Sequence, residues 1–331
     1  MVRGQLPGLR GRQGPPPRPR RAGAEAREVQ AVRAVKPGLW LVLAAGLVLA
    51  ACGRTPETAK PPLYTAGQAT APDQITFLLP GALTTADIFG PANDWNSARH
   101  LVIEYRLPGM RGEPLSPPLD ILRAATQVAA YANRYPRARI NLLGYSTGAA
   151  IAIEAAGRIT DSQRVRVVAI SSATPFPGAA LALARGIVGV AGTALREGTL
   201  DRQTVWDEYF ITLYLGSGWR QSSEKRAIAD AIRRSFEGRI NTPGDGRGRS
   251  QSASLLAWTL SPEALASTAR ITFFHGENDP VFPLPQVRRL AARLNAPVCV
   301  LPEDGHMVLL SRPDLMERVK RVIADQASPC G

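Results

Sequence analysis

Residues 140–150 read INLLGYSTGAA, an apolar run, then a serine held between two glycines, then a stretch of helix formers. Ile140, Leu142 and Leu143 suit a buried strand and Ala149 to Ala156 suits a helix, which leaves almost no residues for the reversal between them. Gly144 and Gly148 remove the side chains that would clash in so sharp a turn, and Ser146 is left at its apex. The residues spell G-x-S-x-G, which puts a serine hydroxyl where a strand turns abruptly into a helix. A motif this short also arises by chance, so its surroundings must decide its meaning.

Outward from this turn, strand-like runs alternate with helix-like ones. The runs are ITFLL (75–79), HLVIEY (100–105), INLLG (140–144), RVVAIS (166–171), ITFFH (271–275) and PVCVL (297–301). Between the second and third, Ser116 and Pro117 predict a helix start, and Ile121, Ala125, Val128 and Ala132 recur at helical spacing until Pro136. Further helices are predicted over 287–294 and 315–323. This alternation predicts an α/β fold, a mainly parallel sheet with helices on both faces.

One interval breaks the rhythm. Residues 176–268 hold the apolar stretch GAALALARGIVGVAGTAL, an aromatic cluster at Trp206, Tyr209, Phe210 and Tyr214, a charged helix and the loop TPGDGRGRS. They read as a helical insertion between two strands. Open α/β sheets bind ligands at the carboxyl ends of their strands, so an insertion there is expected to act as a lid.

The chain has 331 residues, 45% of them apolar, enough for one large core. Residues 1–36 carry nine Arg or Lys, two Glu and the tract Pro15-Pro16-Pro17, a composition unable to bury enough apolar surface to order itself. Next comes GLWLVLAAGLVLAAC, 38–52, an apolar segment with the length of a secretory h-region and short for a bilayer span. Its end, Leu49-Ala50-Ala51-Cys52, resembles the bacterial lipobox, in which the cysteine becomes the lipidated first residue. The resemblance implies an exported, membrane-anchored protein, with residues 1–51 an n-region and signal peptide, 52–73 a Pro- and Thr-rich tether, and 74–331 the folded domain. A start at Val32 would give the signal its usual short basic n-region. Without residues 1–36 the basic count falls from 40 to 31 and the acidic from 27 to 25, so the formal charge drops from +13 to +6. That excess suits a solvated surface and no nucleic-acid groove. Cys299 and Cys330 form an even pair in an exported chain, where a disulfide persists; spacing alone equally allows two unpaired thiols.

A serine hydroxyl becomes a nucleophile only when a base takes its proton, and that base is usually a histidine held by a carboxylate. The chain has three histidines. His306, in LPEDGHMVLL after the last strand, can reach the strand edge that carries Ser146, whereas His100 opens a strand and His275 closes one, which suits structural roles. Asp279 sits in HGENDPVFP after the fifth strand, in a turn marked by Gly276, Asn278 and Pro280. Glu277 and Asp304 are rival acids.

The order Ser146, Asp279, His306, each residue in a strand-to-loop context, resembles that of the α/β-hydrolases, and the likeness runs from about Gln74 to Ala324. It implies a serine hydrolase of an ester, thioester or related acyl bond, acting through an acyl-enzyme, with a small-molecule acyl substrate. The oxyanion donors it implies are the N–H of Thr147 and one from the loop LLPGAL (78–83). Ala82 is the candidate there because Gly81 permits a tight turn, and Leu83 is the alternative. Pro80-Gly81 stands where many members have His-Gly. No cofactor or metal is implied, for there is neither a His/Cys ligand cluster nor a phosphate-binding G-x-x-x-x-G-K loop. A non-catalytic envelope lipoprotein, and a C–C hydrolase or haloperoxidase of the same fold, are the other readings.

Overall fold

The computed structural model describes residues 62–67, 69–236, 246–326, 328 and 330. The signal segment, the start at Val32 and Cys52 lie outside the described residues.

Seven strands form one sheet: β1 Leu63–Tyr64, β2 Gln74–Leu79, β3 His100–Tyr105, β4 Arg139–Tyr145, β5 Val165–Ile170, β6 Arg270–Gly276 and β7 Val298–Leu301, in the order β1-β3-β2-β4-β5-β6-β7. All neighbours are parallel except β1, which runs antiparallel to β3. The parallel strands correspond to the six apolar runs. Their residues are almost continuously buried because helices cover both faces. Ile103, Phe77, Leu142, Val167 and Ile271 stand in register across five strands and face one core. That face packs on α1 (Ile121–Asn133), α2 (Thr147–Ala156) and α8 (Leu284–Arg293). Leu78, Leu143, Val168 and Phe274 point the other way, toward α10 (Leu315–Ile323) and the 3₁₀ segment Ala86–Asp94.

Two expectations need correction. The segment 62–73, read as tether, belongs in part to the domain: Leu63 pairs with Tyr105 and packs on the core. Helix α1 starts at Ile121 and not at Ser116, with the Asp120 carboxylate accepting from the Arg123 N–H at 2.9 Å. Pro118 follows Pro117, and the residue before a proline is pushed out of the helical region, so the helix cannot start there.

The insertion lies between β5 and β6 and contains α3 (Gly178–Glu197), α4 (Arg202–Leu215), α5 (Ser223–Phe236), α6 (Arg247–Ser252) and α7 (Pro262–Leu265). It has a small core of its own around Ile211, Leu215, Trp219, Ala229 and Ile232. Helix α9 (Val308–Ser311) precedes α10. The chain runs from β2 outward to β3, then returns past β2 to β4, which creates a topological switch at the carboxyl ends of β2 and β4. Ligand crevices open at such points.

Candidate active site

Ser146 occupies the turn between β4 and α2 with φ 52° and ψ −116°, a strained conformation for a residue with a side chain, costing on the order of 1–3 kcal/mol. The turn is held from three sides. The Ser146 N–H donates to the Ile170 carbonyl at 2.9 Å, and the Ser146 carbonyl accepts from the N–H groups of Ala149 and Ala173 at 3.0 and 3.1 Å. A Cβ on Gly148 would lie 1.9 Å from the Leu79 carbonyl oxygen, and one on Gly144 would lie 2.5 Å from Ala149 Cα. Both glycines are therefore required by close backbone approach.

His306, in the loop after β7, places Nε2 3.2 Å from Ser146 Oγ. Its Nδ1 lies 2.8 Å from Asp279 Oδ2, in the loop after β6. Since a carboxylate only accepts, Nδ1 carries the proton toward Asp279 and Nε2 is left to accept from the serine hydroxyl. The ring is held between Tyr145 and Phe282, with centroids 5.4 and 6.0 Å away, and the His306 backbone N–H donates to the Leu213 carbonyl of α4 at 2.7 Å.

Asp279 is buried. Its Oδ1 accepts from the N–H groups of Val281 and Phe282 at 2.7 and 3.0 Å. Burial works to raise its pKa, but the charge and hydrogen bond of His306, the nearby His275 and the Phe282 N–H together hold it below the usual carboxylate value. His275 Nε2 donates to the Phe282 carbonyl at 2.7 Å and lies 3.4 Å from Asp279 Oδ2, so it braces the loop that carries the acid. Burial, and to a lesser degree the charge of His306, lowers its own pKa. His100 sits at the opposite end of the sheet, its Nε2 2.8 Å from Thr76 Oγ1.

The rival acids are elsewhere. Asp304 accepts from Ser311 Oγ at 2.7 Å and Arg312 Nε at 2.5 Å, while Glu277 is exposed and accepts from the Glu303 N–H at 3.5 Å.

The loop after β2 closes over the serine; a Cβ on Gly81 would stand 2.8 Å from Ser146 Cβ. The N–H of Leu83, the alternative donor, is engaged: it donates to Gln251 Oε1 at 2.6 Å. Among the described residues, the Ala82 N–H donates to no backbone carbonyl, and the Thr147 N–H, first in α2, has no carbonyl within its helix. Gln251 is the site residue that the sequence did not disclose. Fully buried on α6, it accepts from Leu83 and donates through Nε2 to the Pro108 carbonyl at 2.6 Å, tying the insertion to the loop beside the serine.

Above Ser146 and His306 lies a cavity of about 910 Å³, lined largely by apolar side chains, among them Leu183, Ile187, Val190, Phe210 and Leu213 from α3 and α4. The insertion thus stands at the lid position. Among the described residues, no three His, Cys, Asp or Glu side chains group closely enough to hold a metal ion. Cys299 and Cys330 are joined by a disulfide, with their Cα atoms 4.9 Å apart.

A mainly parallel sheet with helices on both faces, and a Ser–His–Asp arrangement at its carboxyl edge, define the α/β-hydrolase class of fold. Residues 76–319 match the Alpha/beta hydrolase family, and the chain belongs to it. No curated protein matches the sequence. Among solved structures, the chain is similar to the putative non-heme bromoperoxidase BpoC of Mycobacterium tuberculosis H37Rv, at 17% identity over 82% of this chain and 97% of that one, with a TM-score of 0.60. The esterase EaEST of Exiguobacterium antarcticum gives 17% identity over 79% and 94%, TM-score 0.55. Est816, described as an N-acyl homoserine lactone degrading enzyme, gives 22% over 81% and 98%, TM-score 0.53.

Proposed function

We propose that this member of the family is a serine hydrolase that cleaves an ester, thioester or related acyl bond with an apolar acyl group. The observation that carries the reading is the contact chain from Ser146 Oγ to His306 Nε2 (3.2 Å) and from His306 Nδ1 to Asp279 Oδ2 (2.8 Å), set at the base of an apolar cavity. Ser146 Oγ attacks the acyl carbon as its proton passes to His306 Nε2, and the ionised Asp279 stabilises the imidazolium. The N–H groups of Ala82 and Thr147 donate to the oxygen that becomes negative. As the bond to the alcohol or thiol breaks, His306 returns the proton to the leaving group. Water, deprotonated by the same imidazole, then releases the acid and frees Ser146.

The cavity volume lies toward the upper end of the roughly 300–1,000 Å³ usual for small-molecule sites, which suits a long acyl chain along α3 and α4. Export and lipidation at Cys52 complete the proposal, placing the domain at the cell envelope on a membrane anchor.

A fluorophosphonate tests the chemistry. It should label the parent at Ser146 and fail on Ser146→Ala, and kcat/KM on acyl esters should fall about 10⁴-fold or more in that variant. Across esters of rising chain length, kcat/KM should rise to medium or long chains. An unlabelled parent would favour a non-catalytic lipoprotein. Labelling without ester turnover would favour C–C cleavage or haloperoxidation on the same fold.

A further inference from the structure

Helix α3 is apolar on both sides. One side, with Ala182, Gly186 and Val190, lines the cavity. The other carries Leu181, Ala184, Val188 and Leu195 at three-, four- and seven-residue steps, which puts them on one face. Among the described residues nothing covers that face: Leu181 is 48% exposed, Val188 70% and Leu195 84%, and the chain just before and after the helix exposes Phe176 and Leu200 as well. A lid helix against water ordinarily shows charge on its outer face. From Gly178 to Leu195 this one has a single charged residue, Arg185, which stands on the same face between Leu181 and Val188 with a side chain long enough to reach a headgroup layer, and the helix is long and apolar enough to cross a membrane.

A second observation says what covers it. The chain joins the sheet at the catalytic edge and not at the opposite one. The Pro62 carbonyl accepts from the Arg106 N–H at 2.9 Å, and Leu63 lies beside Tyr105, both at the carboxyl end of β3. The loop that follows β3 is bonded through Pro108 to Gln251 of the insertion, and its Met110 lines the cavity. Cys52 lies ten residues before Pro62, so a lipid on that cysteine is tethered within at most about 35 Å of this edge. Such a tether gives the edge a high effective concentration of lipid.

We propose that the outer face of α3, with Phe176 and Leu200, docks on the lipid bilayer and sets the mouth of the cavity against the membrane surface. The acyl substrate then enters from the lipid phase, along a helix whose inner side is already the cavity wall. A bilayer accepts the whole patch without the matched ridges and grooves that a protein partner must supply. The tether argument rests on the anchored reading given above, and the test separates the two.

Full-length processed protein carrying Val188→Cys, labelled with an environment-sensitive fluorophore, is mixed with phosphatidylethanolamine–phosphatidylglycerol vesicles containing nitroxide-labelled acyl chains. Gln163→Cys, exposed at the amino-terminal edge of the sheet, is the control. The Val188 probe should shift to the blue and be quenched by the nitroxide, and the Gln163 probe should do neither. Flotation of the same samples reads the anchor independently: protein that floats with an unquenched Val188 probe keeps the anchor and overturns docking, and quenching of protein without a lipid on Cys52 supports docking while removing the anchor. A concentration-dependent shift without vesicles would show that the face meets a second copy of the chain and would overturn the proposal. The variant Leu181→Ser/Val188→Ser/Leu195→Ser, whose three positions lie outside the cavity wall, should lose about tenfold or more in hydrolysis of a long-chain ester held in vesicles, yet hydrolyse a soluble short-chain ester at the parent rate. Loss on both substrates alike would count against docking.

Discussion

At the scale of single residues, three carboxylates compete for the role beside His306, and their hydrogen bonds separate them. Asp279 has Oδ2 on His306 and Oδ1 on two backbone N–H groups, so its position is over-determined. Asp304 is engaged by Arg312 and Ser311, and Glu277 faces solvent. Asp279→Asn should therefore lower kcat by about 10³–10⁴-fold, because the amide no longer holds the productive tautomer, while Asp304→Asn and Glu277→Gln should stay near the parent rate. Steady-state kinetics on one ester checks all three. The depressed pKa of Asp279 carries a stability consequence as well. Its contribution is fully present above the ordinary carboxylate value and is lost as pH falls through the lower folded value, so an acid titration of stability should be flatter for Asp279→Asn than for the parent. These residues were legible in the sequence because each sits in a loop next to a recognisable strand. The candidate oxyanion donors were legible only as a choice between Ala82 and Leu83, since a backbone N–H has no side-chain signature; in the structure the Leu83 N–H is engaged by Gln251.

At the scale of elements, the six parallel strands could be read from their apolar runs because burial on both faces leaves few polar interruptions. β1 could not: two residues make no run, and the strand exists only because β3 offers an open edge. The start of α1 was misread because Ser116-Pro117 imitates a helix opening, and only the second proline betrays it. Least visible was the link between α6 and the loop after β2, which joins residues 168 apart in sequence. Gln251→Leu would leave the Leu83 N–H and the Pro108 carbonyl without their partner in a half-buried place, where partial access to water keeps the cost near or below the lower end of about 1–3 kcal/mol for each group. Ala82 is adjacent, so the variant should lose activity mainly in kcat, by roughly 10²-fold, with a smaller change in KM. Gln251→Glu retains the Pro108 mismatch but restores an acceptor for Leu83 and should recover part of the rate. Equal kcat in parent and Gln251→Leu would show that the loop is held by other means.

At the scale of the whole molecule, the disulfide between Cys299 and Cys330 closes the carboxyl-terminal stretch onto β7 and spans α9 and α10; Leu315, Val319 and Ile323 of α10 help fill the core on one face of the sheet. Cross-linking a loop of this length restricts the unfolded chain by about 3–4 kcal/mol in the loop-entropy account. Reduction, or Cys330→Ser, should lower the thermal midpoint by several degrees and leave kcat of the folded enzyme unchanged, because His306, although inside the bridged span, is held by Asp279 and by the Leu213 carbonyl and not by the disulfide. Thiol labelling after denaturation should find both cysteines blocked until a reductant is added. Sequence alone could count the two cysteines but could not show that the tail returns to β7.

The insertion supplies none of the three residues that form the contact chain, yet it bonds the loops around that chain at several points: the Leu213 carbonyl receives the backbone N–H groups of His306 and Met307, the Ser217 N–H donates to the carbonyl of Asn278 beside Asp279, and Gln251 holds Leu83 beside the candidate oxyanion donor. A cover joined in this way is not an interchangeable part. In a chimera that grafts another relative's cap between β5 and β6, the catalytic loops would lose these supports whatever the new cap preferred to bind. Inherited changes in substrate preference therefore have their easiest route through side chains on the inner side of α3, where residues can be exchanged without disturbing these attachments.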